Sequence, residues 1–193
     1  MAGRVVLLDL DGTIWDSAPW YEGLANLSTL SIPAGLNAAK MLKAKGYTEA
    51  RLRRALGDGV IGPELYSGVE EALDEVRRGG ALLGAVTNLP GWMVRPMLEG
   101  TGLTRYMDAV VDYGATRKHK PNPEPLLAAL DLLGCDAEES WYIGDHPDDA
   151  LAATAAGMQF AWASWGYSEN PPKEPVQILT DPADIASLVR DSS

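Results

Sequence analysis

The chain has 193 residues, 46% of them hydrophobic and 22% charged, enough for one full core plus a modest insertion. Its formal net charge of -11, with no stretch rich in Lys and Arg, excludes nucleic acid as the main partner, because nothing is present to neutralise a phosphate backbone. No window approaches the roughly 20 apolar residues of a membrane span, and Cys135, the single cysteine, excludes an intramolecular disulfide.

In chain order, Val5-Val6-Leu7-Leu8 opens the pattern, β-branched and apolar on both faces, as a strand buried centrally in a parallel sheet would be. It meets Asp9 and Asp11 almost at once, which leaves no room for a signal peptide, so a cytoplasmic location is expected. Between Ser17 and about Pro63 no strand-like run occurs. Residues 20–30, 34–45 and 48–56 read instead as helices, which predicts an inserted all-helical subdomain hinged near residues 16–19 and 57–63. The alternative is that these helices cover the sheet. Further strands are predicted at residues 81–86, 109–111, 141–143 and 159–162, with helices between them carrying apolar residues three and four apart. A closing helix is expected over residues 181–190, with Asp181 as its cap and Pro182 in its first turn. Strands alternating with helices define an α/β class with a parallel sheet.

Ligands of an open α/β sheet bind beyond the carboxyl ends of its strands, and the polar groups that follow strands in this chain all fall on that edge. Asp9 and Asp11 leave the first strand, Thr87 and Asn88 the second, Lys120 comes from the loop after the third, and Asp145 follows the fourth. Gly12 permits the sharp turn in Asp9-Leu10-Asp11-Gly12-Thr13. Asp145 and Asp149 form a second carboxylate pair that, with the first, supplies the oxygen ligands magnesium needs. Asp148 is read as a helix cap. Thr87 offers a hydroxyl and an N–H to a phosphate oxygen, and Lys120, fixed by Pro121, is a charge partner for a nucleophile or a phosphoryl group. Lys118 and His119 are nearby rivals for that role. With His119 and His146 the only histidines and no Gly-x-Ser-x-Gly elbow, serine-hydrolase chemistry is disfavoured.

These four segments, in this order, resemble the motifs of the haloacid dehalogenase (HAD) superfamily: Asp9-Leu10-Asp11-Gly12-Thr13, Thr87-Asn88, Lys120-Pro121, and Gly144-Asp145 with Asp149. The similarity is greatest to its phosphoglycolate phosphatase-like branch, helped by Ala115-Thr116-Arg117 and Trp165-Gly166-Tyr167 beside the motifs. The resemblance implies a three-layer Rossmann-like core from residues 1–15 and 64–193, with residues 16–63 as a reduced C1-type helical cap. It implies a phosphatase acting on a small-molecule phosphate ester through an aspartyl-phosphate, as a monomer or homodimer. Asp9 would be the nucleophile and Asp11 the acid and base. Magnesium (Mg2+) would be held by Asp9, the Asp11 carbonyl, Asp145 and Asp149, and the phosphoryl oxygens by Thr87, Asn88 and Lys120.

A carboxylate at position 11 separates the chain from the superfamily's dehalogenases and phosphonate-cleaving members, which lack one. A phosphosugar mutase and a catalytically retired binding or regulatory homologue are the alternatives. Trp15 and His146 depart from the family's usual small residues; His146 either contacts phosphate or fills its turn, and the second reading is preferred. Arg51, Arg53 and Arg54 either reach a second anionic group of the substrate or form a solvated helix face, and the solvated face is the preferred reading.

Overall fold

A computed structural model of the chain describes residues 4–19, 43–44, 46–57, 63–172 and 176–189. In chain order, β1 (Val5–Leu8) is followed by β2 (Trp15–Asp16), α1 (Glu49–Gly57), β3 (Glu64–Leu65), α2 (Val69–Arg78), β4 (Leu82–Val86) and α3 (Gly91–Gly100). Then come β5 (Ala109–Val111), α4 (Glu124–Leu133), β6 (Trp141–Gly144), α5 (Pro147–Ala156), β7 (Gln159–Ala163) and β8 (Gln177–Leu179).

Six strands pair in the order β5-β4-β1-β6-β7-β8, every pair parallel. Strands alternate their side chains between faces, so β1 divides its four apolar residues evenly. Val6 and Leu8 join a cluster with Val69, Leu73, Met93 and Met97 from α2 and α3. Val5 and Leu7 join one with Leu126 and Leu130 from α4 and Ala152 and Ala153 from α5. All four β1 side chains are completely buried, which is why this strand carries no polar residue until it ends. Helices on both faces of a parallel sheet make the three-layer α/β core that the alternation implied. All five predicted strands of the sheet are present.

The chain steps outward from β1 through β4 to β5, then returns to the other side of β1 for β6, β7 and β8. Such a reversal leaves a crevice at the carboxyl end of the strand where it occurs. Here that strand is β1, flanked by β4 and β6, so the segments after three adjacent strands open into one crevice.

Three short elements were not anticipated. β8 is an edge strand of three residues, and β2 pairs with β3 in a two-stranded antiparallel ribbon, Trp15 opposite Leu65 and Asp16 opposite Glu64. The ribbon sets the two ends of segment 16–63 side by side. Of the helices expected in that segment, α1 is observed, with Leu52 completely buried and α1 packed on α3; residues 20–30 and most of 34–45 lie outside the described residues. The closing helix, Pro182–Val189, is 3-10 rather than α. The Ser187 hydroxyl takes the Asp184 carbonyl at 2.6 Å, competing with the i to i+4 bonding of an α-helix. Asp181 does cap it, accepting from the Ala183 N–H at 2.9 Å. Among the described residues, no helix is long and apolar enough to cross a membrane.

Candidate active site

The loop after β1 closes on itself. The Leu10 carbonyl gathers the N–H groups of Thr13, Ile14 and Trp15, and Gly12 donates to the Trp15 carbonyl at 3.0 Å. Gly12 has φ of 83°, a conformation that a side chain would strain. A Cβ there would also strike the Asp145 carboxylate and the Tyr167 ring. The turn thus brings Asp9 and Asp11 against the end of β6, and the Asp9 N–H donates to the Ile143 carbonyl at 2.9 Å.

At the centre lies Lys120. Its ammonium is 2.8 Å from Asp9 Oδ1 and 2.7 Å from Asp149 Oδ1, and it donates to the Tyr142 hydroxyl at 2.7 Å. Burial opposes its charge, yet Asp149 and Asp9 hold its pKa above the usual lysine range, so it stays an ammonium. Of the three basic candidates in this loop, Lys120 is the one aimed at the carboxylates; Lys118 is exposed and His119 stacks on Tyr113 at 3.6 Å. The Asn88 side chain brackets the lysine's backbone, donating to the Lys120 carbonyl at 3.1 Å and accepting from its N–H at 3.2 Å. Its amide is therefore spent on positioning. The Thr87 N–H is likewise spent, on the Val111 carbonyl of the sheet. The Thr87 hydroxyl oxygen accepts from the Leu89 N–H at 3.1 Å, which leaves its proton to donate.

Asp145 accepts from the Thr13 hydroxyl at 3.2 Å and from the Tyr167 N–H at 2.7 Å. Asp149 accepts from Lys120 and Tyr142 on one oxygen and from the His146 N–H on the other. A Cβ at position 144 would run into Asp149, so glycine is what lets this carboxylate lie under the end of β6. His146 is the N-cap of α5, its Nδ1 accepting from the Asp148 N–H at 3.2 Å and completing a capping box with Asp149. Asp148 is therefore not the cap. Pro147, at the first helical position, sets the helix start two residues earlier than that reading assumed.

Tyr142 was not singled out from the sequence, and Thr13 and Tyr167 entered only as members of quoted motif segments, without a role in the site. Tyr142 is the most informative, being a completely buried hydroxyl that bridges Lys120 and Asp149, with the Val86 carbonyl 3.1 Å away as a second acceptor for its one proton. The sequence signal for it was a tyrosine immediately before the Ile143-Gly144-Asp145 strand end, where β1 and β4 carry no polar side chain. Asp11 makes a different set of bonds, accepting from the Trp15 indole N–H at 2.7 Å and from the Ser17 hydroxyl at 2.8 Å. Arg51 lies over the Tyr47 ring at 4.2 Å and Arg54 is exposed, as a solvated helix face would have them.

One ligand atom from each of Asp9, Asp145 and Asp149 lies within 4.8 Å of the others, and all three residues are buried. With Lys120 as the ammonium among them, the group would carry two excess negative charges if all three carboxylates were ionised. Burial, with the neighbouring carboxylates Asp149 and Asp145, pushes the Asp9 carboxyl up to about 8 against the pull of Lys120. Burial and Asp149 push Asp145 up to about 6. Crowded oxygen donors with a deficit of positive charge fit a hard divalent cation, whose binding would draw both groups down into their ionised forms.

Residues 50–163 match the haloacid dehalogenase-like hydrolase family. A phosphoglycolate phosphatase from Rhodospirillum rubrum is 33% identical, over 87% of this chain and 82% of that protein. Another, from Xanthomonas campestris pv. campestris, is 32% identical, over 85% of this chain and 84% of that protein. The crystal structure of a HAD-superfamily hydrolase of subfamily IA from Geobacter sulfurreducens shares the fold, with a TM-score of 0.74 at 24% identity, over 97% of this chain and all of that one. The chain belongs to the haloacid dehalogenase-like hydrolase family. Within it, the resemblance is to the phosphoglycolate phosphatase-like branch, and the chain falls among the family's phosphatases.

Proposed function

We propose that the chain hydrolyses a small-molecule phosphomonoester, of the phosphoglycolate class, through a phosphorylated Asp9. The observation that carries this reading is the Lys120 ammonium, 2.8 Å from Asp9 Oδ1, at the centre of a buried group that also holds Asp145 and Asp149. An exposed acidic cluster would be unremarkable; a buried one arranged around a lysine at the switch point of a parallel sheet supports a catalytic reading.

In the first step an Asp9 carboxylate oxygen attacks phosphorus and the bond from phosphorus to the ester oxygen breaks, while Asp11 gives its proton to the departing alcohol. In the second, Asp11 takes a proton from water as the water oxygen attacks phosphorus. The bond to Asp9 breaks, inorganic phosphate leaves, and both aspartates return to their starting forms. Lys120 and the Thr87 hydroxyl grip the phosphoryl oxygens, with the Asn88 N–H beside them, while the Asn88 side chain keeps Lys120 in place. Asp9, the Asp11 backbone carbonyl, Asp145 and Asp149 would hold magnesium, which offsets the negative charge shared by nucleophile and phosphate. The β2–β3 ribbon supports reading residues 16–63 as a reduced C1-type cap on a core of residues 1–15 and 64–193, because it joins both ends of that segment at the catalytic edge.

Asp9→Asn is expected to abolish magnesium-dependent phosphate release, and Asp11→Asn to slow it roughly 100-fold or more, with the circular dichroism spectrum of each variant unchanged. Normal turnover by Asp9→Asn protein would refute the mechanism.

A further inference from the structure

The Asp11 carboxylate is held by a group that phosphoryl transfer does not itself require. The Trp15 indole N–H donates to Asp11 Oδ1 at 2.7 Å, and the Ser17 hydroxyl donates to the same oxygen at 2.8 Å. We propose that Trp15 is a positioning residue for proton transfer: its indole N–H, with the Ser17 hydroxyl, pins one oxygen of Asp11 and so fixes the orientation of the carboxyl that exchanges a proton with the leaving group and with water. This rests on the reading of Asp11 as the acid and base.

The donor is rigid. Trp15 is completely buried in the apolar cluster that includes Leu10, Ile14 and Val69, so its ring has no room to turn away. Its backbone is fixed at both ends, by the Trp15 N–H to the Leu10 carbonyl, the Gly12 N–H to the Trp15 carbonyl, and pairing with Leu65 across the ribbon. The Ser17 hydroxyl is itself 3.3 Å from the Tyr167 hydroxyl, which accepts from the Ser17 N–H at 2.7 Å, so the second donor is also held. An indole N–H can only donate. The indole therefore stays bonded to Oδ1 as a donor in either protonation state of Asp11.

Two donors on one oxygen also fix the direction of the carboxyl plane. Proton transfer is sensitive to displacement of the acid by a fraction of an ångström to an ångström, which makes the indole a determinant of rate through Asp11. A buried tryptophan also needs an acceptor for its own N–H, and this purely structural role predicts a different outcome from the positioning role.

The two are separated by leaving-group dependence. p-Nitrophenyl phosphate expels a good leaving group with little need of a proton, whereas phenyl phosphate, of nearly the same shape, relies on the acid. Values of kcat/KM report the steps up to departure of the phenol. In Trp15→Phe, which keeps an aromatic ring and deletes the N–H, the ratio of kcat/KM for p-nitrophenyl phosphate to that for phenyl phosphate is expected to rise about tenfold. That is a part of the roughly 10²- to 10⁴-fold that positioned proton transfer contributes. Asp11→Asn raises the same ratio further, and Ser17→Ala raises it less.

Equal losses on both esters in Trp15→Phe, or an unchanged ratio, while Asp11→Asn shows the selective loss, would overturn the role of Trp15 and leave Asp11 as the acid. A ratio unmoved by Asp11→Asn would instead remove the acid reading, and this inference with it. Should Trp15→Phe not fold, Ser17→Ala decides by the same ratio, since it removes the other donor to that oxygen.

Discussion

The loop after β1 and the segment that runs from β6 into α5 each present two aspartates to one crevice, and they hold them by different means. In the first, Asp11 is gripped by side chains four and six residues away, Trp15 and Ser17, within a turn that closes on the Leu10 carbonyl. In the second, Asp149 takes the His146 N–H and the Tyr142 hydroxyl from its own segment but its ion pair from Lys120, and Asp145 accepts from Thr13 and Tyr167, so each relies on at least one segment far away in sequence. Asp9 belongs to the first loop by sequence and to the second by its bonding, through Lys120. A carboxylate secured by its own turn keeps its orientation when other loops are disturbed. One secured from a distance reports on the assembly of the whole edge, and Lys120 is the piece that edge shares.

The largest test of this contrast is Lys120→Met. Removing one partner of a buried ion pair leaves its carboxylates uncompensated, so stability should fall by about 3–5 kcal/mol in urea denaturation, with phosphate release down by roughly 1,000-fold. A loss below about 1 kcal/mol would mean that Asp9 and Asp149 do not rely on the lysine. Tyr142→Phe should cost less, about 1–3 kcal/mol, because it strips one hydroxyl from a group that keeps its ion pairs; urea melts with and without magnesium would show a similar deficit. No change on deleting that hydroxyl would remove Tyr142 from the network.

The smallest expected effect is one of pH. Asp9 and Asp145 have carboxyls raised to about 8 and about 6 in the folded chain, so above the ordinary carboxylate range the folded state retains protons that the unfolded state has shed. Stability must then fall as pH rises, across the interval from about 4 to about 8. In chelator, the thermal midpoint should drop by on the order of 5 °C between the ends of that interval. Magnesium should flatten the slope, and so should Asp9→Asn. A midpoint that climbs with pH in chelator would contradict the charge excess.

The same local and distant contrast governs what the sequence made legible. The five predicted strands stood out because a strand covered on both faces is apolar without alternation, as Val5 to Leu8 is. β8 escaped because an edge strand of Gln177, Ile178 and Leu179 has two exposed members, and β2 and β3 because two residues carry no periodicity. Asp9, Asp11, Lys120 and Asp145 were visible as charged residues after apolar runs or beside a fixed proline, and Asp149 as the carboxylate four residues beyond Asp145. Tyr142 was not, since a tyrosine within a strand reads as a filler of the core until Lys120 and Asp149 are known to meet there. Nor was the bond from Trp15 to Asp11, because a spacing of four has no fixed meaning in a turn. The cap of α5 could have been read correctly: Pro147 belongs at the first helical position, which makes His146 rather than Asp148 the residue before it.

The account depends most on covalent capture of the phosphoryl group at the end of β1. The direct measurement is acid quenching of the magnesium-loaded enzyme during turnover of a phosphate ester carrying radioactive phosphorus, followed by peptide mapping. Label on Asp9, absent from the Asp9→Asn variant, is the predicted result. Steady release of phosphate with the label on another residue, or undiminished release by Asp9→Asn, would contradict it.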